Sequence, residues 1–395
     1  MKKSLLALAA MGAFAGAAQA QSSVTVYGIF DGGYNGKAVD TKATSSSTAT
    51  VVSNSDMSGN QAASSRLGFR GVEDLGGGLR ATFNLEFGFD AGNGTLYTTT
   101  VPGISGQSQS DGVRTAVVGL ASKEFGALNI GRQLSGMHGI IAGNVFGGNN
   151  MIGDITYSSW TNANAQAGRI SNVITRFNGL SWQSNTYAGF NARVDFASNR
   201  ATGAATANTS GQNYPNTLAT QVSDAGIRLN YDYGPFGVSA ATYQIINTNG
   251  NVTSTSGAET TTKISAVQAR YRGQGLIVEA TYGANSSASI VPTVTNAQLG
   301  KNSATKLSAQ YNVTPTIAPF FQYGWGKSVA TTVVSTANSD NKNTAYQVGS
   351  FYNMSKRTSL YAVYGYQKSE ADSSSFSGNY SVEGKEVGVG LLHTF

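Results

Sequence analysis

Residues 79–90 alternate with almost no error. Leu79, Ala81, Phe83, Leu85, Phe87 and Phe89 share one parity, and Arg80, Thr82, Asn84, Glu86, Gly88 and Asp90 share the other. Strand side chains point to opposite faces with period 2, so this stretch is a strand with one apolar and one polar face. Just upstream, Leu67 and Phe69 oppose Arg66 and Arg70, which makes a second strand of the same kind. The run Glu73-Asp74-Leu75-Gly76-Gly77-Gly78 between them reads as a tight glycine turn. Such a hairpin has two homes. A soluble sandwich buries the apolar face under a second sheet. A transmembrane barrel turns it to lipid and leaves the charged face in a wet lumen.

The rest of the chain favours the barrel. Met1 to Ala20 reads as a secretory signal peptide: Lys2 and Lys3, a short apolar run over 5–18, and the small-x-small site Ala18-Gln19-Ala20. Its removal lowers the formal charge by two from +6. No cysteine is present, so neither disulfides nor thiolate metal sites are available. After residue 20 no apolar run approaches the ~20 residues of a membrane helix. Yet 49 glycines, 19 tyrosines and 17 phenylalanines against 6 prolines suit many strands. Weak hydropathy with strong alternation is the signature of membrane barrels, where lipid contact falls on every second residue. Length alone favours two or three domains. No linker or composition shift divides the chain, so a single barrel over 21–395 is expected.

The alternation recurs in 16 candidate strands: 23–35, 61–73, 78–91, 112–122, 126–135, 171–184, 188–199, 222–233, 236–247, 262–272, 275–286, 303–313, 317–328, 343–353, 358–369 and 382–395. Their connections sort into two kinds. Short turns such as Gly234-Pro235-Phe236 and Thr314-Pro315-Thr316 alternate with long Ser/Thr/Asn/Gly-rich segments at 36–60, 92–111, 136–170, 200–221, 248–261, 287–302, 329–342 and 370–381. An up-and-down barrel places all short turns on one rim and all long loops on the other. Greek-key crossings would break that order. Tyrosines near strand ends, among them Tyr233, Tyr271, Tyr282, Tyr323 and Tyr352, suit interfacial girdles.

At both ends of the barrel the residues resemble a known family. SSVTVYGIFDGGY, SRLGFRGVEDLGGGLRATFNLEFGF, VRTAVVGLASKEFGALNIGRQ and the closing NMSKRTSLYAVYGY…EVGVGLLHTF are similar to the general porins of Gram-negative bacteria, in their beta-proteobacterial branch. Between about 200 and 340 the likeness is one of strand pattern only. The resemblance implies a homotrimer of 16-stranded outer-membrane barrels with the third long loop, about 136–170, folded into the lumen as a constriction. It also implies insertion by the barrel-assembly machinery, guided by a last strand ending in an aromatic residue; here that residue is Phe395.

A pore of this size selects by diameter and by rings of charge. The resemblance sets wall arginines against acids on the third loop. Arg66 and Arg114 match the family's arginines at the openings of their motifs, and Arg169 and Arg176 compete for a third position. Arg70, Arg80, Arg193, Glu86 and Asp31 are further lumen candidates. The loop departs from the pattern. Its Asn144-Val145-Phe146-Gly147-Gly148 carries valine where many relatives carry an acid, and Asp154 is the single acid between Leu134 and Ile170. The expected eyelet is therefore positive, with Asp154, Asp31 or Glu86 as the possible sources of a balancing charge.

Enzymatic readings do poorly. His138 and His393 are the only histidines, and neither sits in a nucleophile–base–orienter arrangement. No metal cluster or phosphate loop is present, and no cofactor is implied. The basic residues form no run that would mark a nucleic-acid partner. The expected function is passive diffusion of small hydrophilic solutes, anions preferred, across an outer membrane whose lipid contacts the barrel. A surface adhesion or structural barrel with a closed lumen is the alternative.

Overall fold

The structure is a computed structural model and describes residues 23–43, 50–92, 94, 96, 112–142, 146, 151–155, 176–197, 221–248, 259–291, 294–331, 338–373 and 380–395. The expected signal peptide, the 92–111 segment apart from a few residues, Val145, Gly147, Gly148 and Arg169 lie outside the described residues. The described chain is almost wholly strand: β1 (Ser23–Ala43), β2 (Thr50–Gly59), β3 (Arg66–Gly76), β4 (Leu79–Gly88), β5 (Val113–Ser122), β6 (Gly126–Leu134), β7 (Arg176–Gln183), β8 (Phe190–Ala197), β9 (Gln221–Tyr233), β10 (Phe236–Thr248), β11 (Glu259–Gly273), β12 (Leu276–Val291), β13 (Val294–Tyr311), β14 (Ile317–Thr331), β15 (Asn338–Asn353), β16 (Thr358–Ser373) and β17 (Tyr380–Thr394). One short helix, α1 (His138–Ile141), follows β6.

Each strand pairs antiparallel with its neighbours, and β17 returns to β1 from Ile29↔Thr394 to Ala43↔Tyr380. The terminal residue completes the seam: the Phe395 amide donates to the Gly28 carbonyl at 3.1 Å, and the Gly28 amide donates back at 3.0 Å. The seam between β17 and β1 thus closes the sheet on itself, as a membrane barrel requires.

Its 17 segments fill 16 strand positions. β3 pairs with the lower part of β1, from Ser23↔Val72 to Ile29↔Arg66, and β2 with the upper part, from Gly32↔Gly59 to Thr41↔Thr50. Between them residues 60–65 leave the wall. The buried Asp31 carboxylate accepts from the amides of Ala62 (2.7 Å) and Ala63 (2.8 Å) and from the Tyr361 hydroxyl (2.7 Å). Those two amides cannot also join a ladder, which is why the strand expected from 61 begins at Arg66.

The hairpin parity holds in three dimensions. Arg66↔Gly88, Gly68↔Glu86 and Arg70↔Asn84 face each other on the inside, with Leu67↔Phe87, Phe69↔Leu85 and Gly71↔Phe83 on the outside. The turn demands its glycines, since Gly76, Gly77 and Gly78 all have positive φ (82°, 59° and 81°).

The wall has two heights. β3–β8 are short, from 11 residues in β3 down to 8 in β7 and β8. β9–β17 are tall, from 13 residues in β9 to 18 in β13. Much of the polar sequence expected as loop, at 36–60, 248–261, 287–302, 329–342 and 370–381, continues as paired strand. Beyond the bilayer a strand needs backbone partners but no apolar face, so alternation stops marking it.

Candidate functional site

The third loop leaves β6 and turns inward along the tall wall. Its first anchor is polar: the Gly136 amide donates to Asp195 Oδ2 (2.8 Å) and to the Tyr243 hydroxyl (2.7 Å), and that hydroxyl also donates to Asp195. Arg193 bonds Asp195 Oδ1 and the Leu134 carbonyl, each at 2.7 Å. Met137, Ile140, Ile141 and Ile155 then bury themselves on Tyr243, Ile264, Ala266, Ala304 and Ala345 of β10–β15. Farther round, Phe146 stacks on Phe320 (centroids 4.4 Å apart) and, with Met151, joins Tyr361 and Val363.

Polar ties complete the docking. Lys306 Nζ donates to the Ile141 carbonyl (3.1 Å) and lies 3.9 Å from Asp154, both side chains being essentially inaccessible. The Ile152 amide donates to Glu386 (2.7 Å), and Gln347 donates to the Ile152 carbonyl (3.2 Å). Gly324 and Gly365 let the loop this close. A Cβ at either would overlap Ile155 or the Ile152 carbonyl, respectively.

The short wall opposite carries the arginines. Arg66 and Arg70 share the inner face of β3, and Arg80 that of β4. Arg66 Nε is held by the Ser64 carbonyl (2.9 Å), and the Arg70 guanidinium lies 5.3 Å from the Tyr27 ring centroid. Arg114 reaches the lumen by a bulge. The register between β4 and β5 steps from Glu86↔Thr115 to Phe87↔Val113, which leaves Arg114 as the extra residue. By simple alternation it would follow Ala116, Val118 and Leu120 outward; the bulge re-aims it. Its Nε then meets Glu86 Oε1 at 2.7 Å, while Glu86 also accepts from Tyr27 at 3.1 Å.

Arg176 opens β7 opposite Leu134. Its charge converges with those of Arg114 and Arg66 on one residue of the inward loop, His138. Burial, then Arg176, Arg114 and Arg66 in that order, push the His138 pKa from 6.5 down to about 4. The imidazole is therefore neutral at pH 7 among positive groups.

Other expected residues have structural contacts. Asp31 is sealed beneath the 60–65 excursion, Asp154 is buried against Lys306, Phe146 faces the tall wall, and Arg193 anchors the start of the loop. Two further cations, on the polar parity of their strands but not among the expected site residues, lie under the loop. Arg228 lies beneath α1, where a Cβ on Gly139 would approach its Nη1 to 2.8 Å. Lys306 is the buried tie just described. Both carry inner parity, and that signal was available.

A closed, strand-built wall, apolar outside and charged within, narrowed by an inward loop, defines a transmembrane β-barrel of the pore-forming class. Residues 7–372 match the Gram-negative porin family, and the chain belongs to it. An outer membrane porin protein of Bordetella pertussis is 36% identical over 210 residues, covering 50% of this chain and 48% of that protein. Outer membrane porin protein 32 of Delftia acidovorans is 34% identical over 209 residues, covering 50% of each. The chain thus spans about half the length of these relatives. Among solved structures, an anion-selective porin from Comamonas acidovorans superposes with a TM-score of 0.63 at 21% identity, covering 95% of this chain and all of that one. OmpT of Vibrio cholerae, in a trimer form, gives 0.56 at 14% identity, covering 95% and 99%. At these identities the likeness establishes the fold.

Proposed function

We propose that this protein is an outer-membrane pore through which small hydrophilic solutes diffuse passively, with anions preferred, and that Arg66, Arg114 and Arg176 set that preference. The observation that carries the reading is the inner face of the short wall, where Arg66, Arg70 and Arg80 share one side of the β3–β4 hairpin and the β5 bulge adds Arg114, while the candidate balancing acids are engaged. Glu86 is paired with Arg114, Asp154 faces Lys306, and Asp31 lies under backbone amides. Fixed positive charge in a narrow, partly desolvated passage favours anions. The selectivity named for the Comamonas neighbour supports the same reading.

We further propose a homotrimer assembled through the outer faces of the short wall, where Leu67, Phe69, Phe83 and Leu85 form an apolar band. The trimer form of the Vibrio neighbour is in keeping with this. Insertion would depend on Phe395, whose backbone closes the seam on Gly28. The barrel-assembly machinery would recognise the strand that ends there. Deletion of Phe395 should cut outer-membrane insertion while export continues, measured as heat-modifiable barrel in membrane fractions.

The decisive experiment is the zero-current potential of the purified protein in a planar bilayer under a dilute KCl gradient. Stepwise conductance with an anion-side potential is expected. Cation selectivity would sink the anion claim, and absent conductance would favour the closed-lumen barrel.

A further inference from the structure

The inner face of the short wall is hollowed below the eyelet arginines. Arg70 lies four residues from Arg66, about 13 Å along β3 toward the short turn. Thr25 of β1 stands opposite Arg70, and Arg70 opposite Asn84 of β4. One row nearer the turn, Thr82 of β4 faces Gly119 of β5, and Gly119 faces Asn129 of β6. The floor is low because Val117 and Gly119 carry little side chain. A Cβ on Gly119 would collide with Asn129 Oδ1 and lie 3.1 Å from Thr82 Oγ1. The hollow holds about 250 Å³, small beside the clefts of ~300–1,000 Å³ that take drug-sized ligands.

The cation in the hollow is not neutralised. Arg70 is exposed and forms no ion pair among the described residues, and the Tyr27 ring backs its guanidinium. The inner acids of the same hairpin have partners of their own. Glu86 is bonded to Arg114 and Tyr27, and Asp74, opposite Arg80, accepts from the Gly76 amide at 2.9 Å. Around Arg70 stand neutral hydrogen-bonding groups. The Asn84 carbonyl accepts from the Tyr27 hydroxyl at 2.8 Å, which leaves the amide nitrogen of Asn84 as a donor. Thr25, Thr82 and Asn129 can each donate or accept. A guanidinium fork fits a carboxylate, and one cation balances one negative charge. Hydroxyl groups, which both donate and accept, suit the mixed lining.

We infer that this hollow is a solute subsite on the short-turn side of the eyelet, and that it holds small polyhydroxylated monocarboxylates. Arg70 takes the carboxylate, and Thr82, Asn84 and Asn129 take the hydroxyls. The inference rests on the anion-preferring pore proposed above and names the class of solute that such a pore retains.

The test measures the single-channel chloride current of purified full-length protein in a planar bilayer at constant ionic strength. Sodium gluconate, sodium acetate or glucose is added on the short-turn side. Acetate has the charge without the hydroxyls, and glucose the hydroxyls without the charge. Gluconate is expected to halve the current at a concentration about tenfold below that of acetate, as one or two net hydrogen bonds would give, with glucose weaker than either. Arg70→Gln should raise the half-blocking concentration of gluconate about tenfold. Thr82→Val with Asn129→Leu should bring gluconate up to the level of acetate. A wild-type channel that prefers anions but treats gluconate and acetate alike would overturn the subsite alone. So would an unchanged gluconate block in Arg70→Gln, or an undiminished advantage over acetate in the double variant. A wild-type channel that prefers cations would overturn the selectivity reading and the subsite with it. If the double variant fails to form a conducting barrel, the wild-type comparison and Arg70→Gln decide.

Discussion

The short wall (β3–β8) and the tall wall (β9–β17) obey different rules on their inner faces. On the short wall the β3–β4 hairpin alternates strictly, apolar outside with arginine and acid within, and the bulge in β5 adds Arg114 to that inner face. On the tall wall the inner face mixes glutamines with Tyr243, Ile264, Phe320, Tyr361 and Val363, because it is the floor on which the inward loop rests. One wall presents charge to passing solute, and the other spends its inner face holding the loop opposite those charges. Arg193 and Asp195 of β8 are the short wall's share in holding the loop; apart from them, selectivity and gauge are carried by different strands and should be separable by mutation.

The largest expected effect is on the tall wall. Asp154→Ala removes the carboxylate facing the buried Lys306 ammonium. Breaking a buried pair from one side costs about 3 kcal/mol, or roughly a hundredfold in the docking of the loop. Amide hydrogen exchange at Ile140 and Ile141 should rise accordingly, and single-channel current should become larger and noisier. The barrel itself should remain resistant to heat in detergent. A quiet, unchanged channel would mean that the apolar anchors suffice without the ion pair.

The short wall breaks differently. Leu85→Arg places a charge on the lipid face and should cost about 2–4 kcal/mol if Leu85 lies near mid-membrane. Asn84→Arg, one residue away on the lumen side, should cost much less, its loss limited to the Tyr27 hydrogen bond and repulsion from Arg70 in a wet lumen, and should alter conductance. Urea titration of folded barrel in lipid, with bilayer recordings, checks both. Equal behaviour of the two variants would mean that the hairpin register is wrong.

These contrasts mark how far the sequence could be read. The strand positions and both hairpin faces follow from period 2 alone, as the Leu79–Phe87 run illustrates. The upper reaches of β11–β16 do not, because Ser- and Thr-rich strand outside the bilayer has no alternation to detect. Arg114 was placed inside by family likeness; counted from Val118, its parity points outward, and only the bulge explains its position. Asp31 had inner parity like any lumen acid. Its burial depends on Ala62, Ala63 and Tyr361, the last 330 residues away in sequence, and periodicity cannot register such a contact. The inner apolar patch under α1 reads, strand by strand, as broken alternation until the loop is laid on it.

A third comparison replaces charge on the short wall alone. A unit charge 4 Å away is worth about 1 kcal/mol in bulk water, so each arginine removed should lower the chloride-to-potassium permeability ratio by roughly fivefold. Arg66→Ser with Arg114→Ser should therefore move the zero-current potential in dilute KCl well toward the cation side. Removal of Arg114 also releases Glu86, which adds to the shift. Val145→Glu should move the potential the same way from the loop side. At ~1 M salt, where the screening length is ~3 Å, the differences should shrink.

The smallest effect joins the two walls. His138 belongs to the loop held by the tall wall, and its charge state is governed by the arginines of the short one. Its pKa is lowered from 6.5 to about 4, chiefly by burial and next by Arg176, Arg114 and Arg66. For a histidine so depressed, the undocked loop takes up a proton at higher pH than the docked one. Docking is therefore at full strength above about pH 6.5 and weakens as pH falls toward about 4. Near pH 4 the imidazole is about half protonated, so the pore gains about half a positive charge on average, raising anion preference by less than the fivefold of an unscreened unit charge. The comparison is made against His138→Gln, which isolates the imidazole's share of the pH dependence. The variant should lose the part of the pH-dependent shift that wild type shows between 6 and 4, measured as zero-current potential at each pH. Identical profiles for the two proteins would mean that the loop imidazole does not feel the arginine wall, and the coupling between the two halves would then rest on steric fit alone.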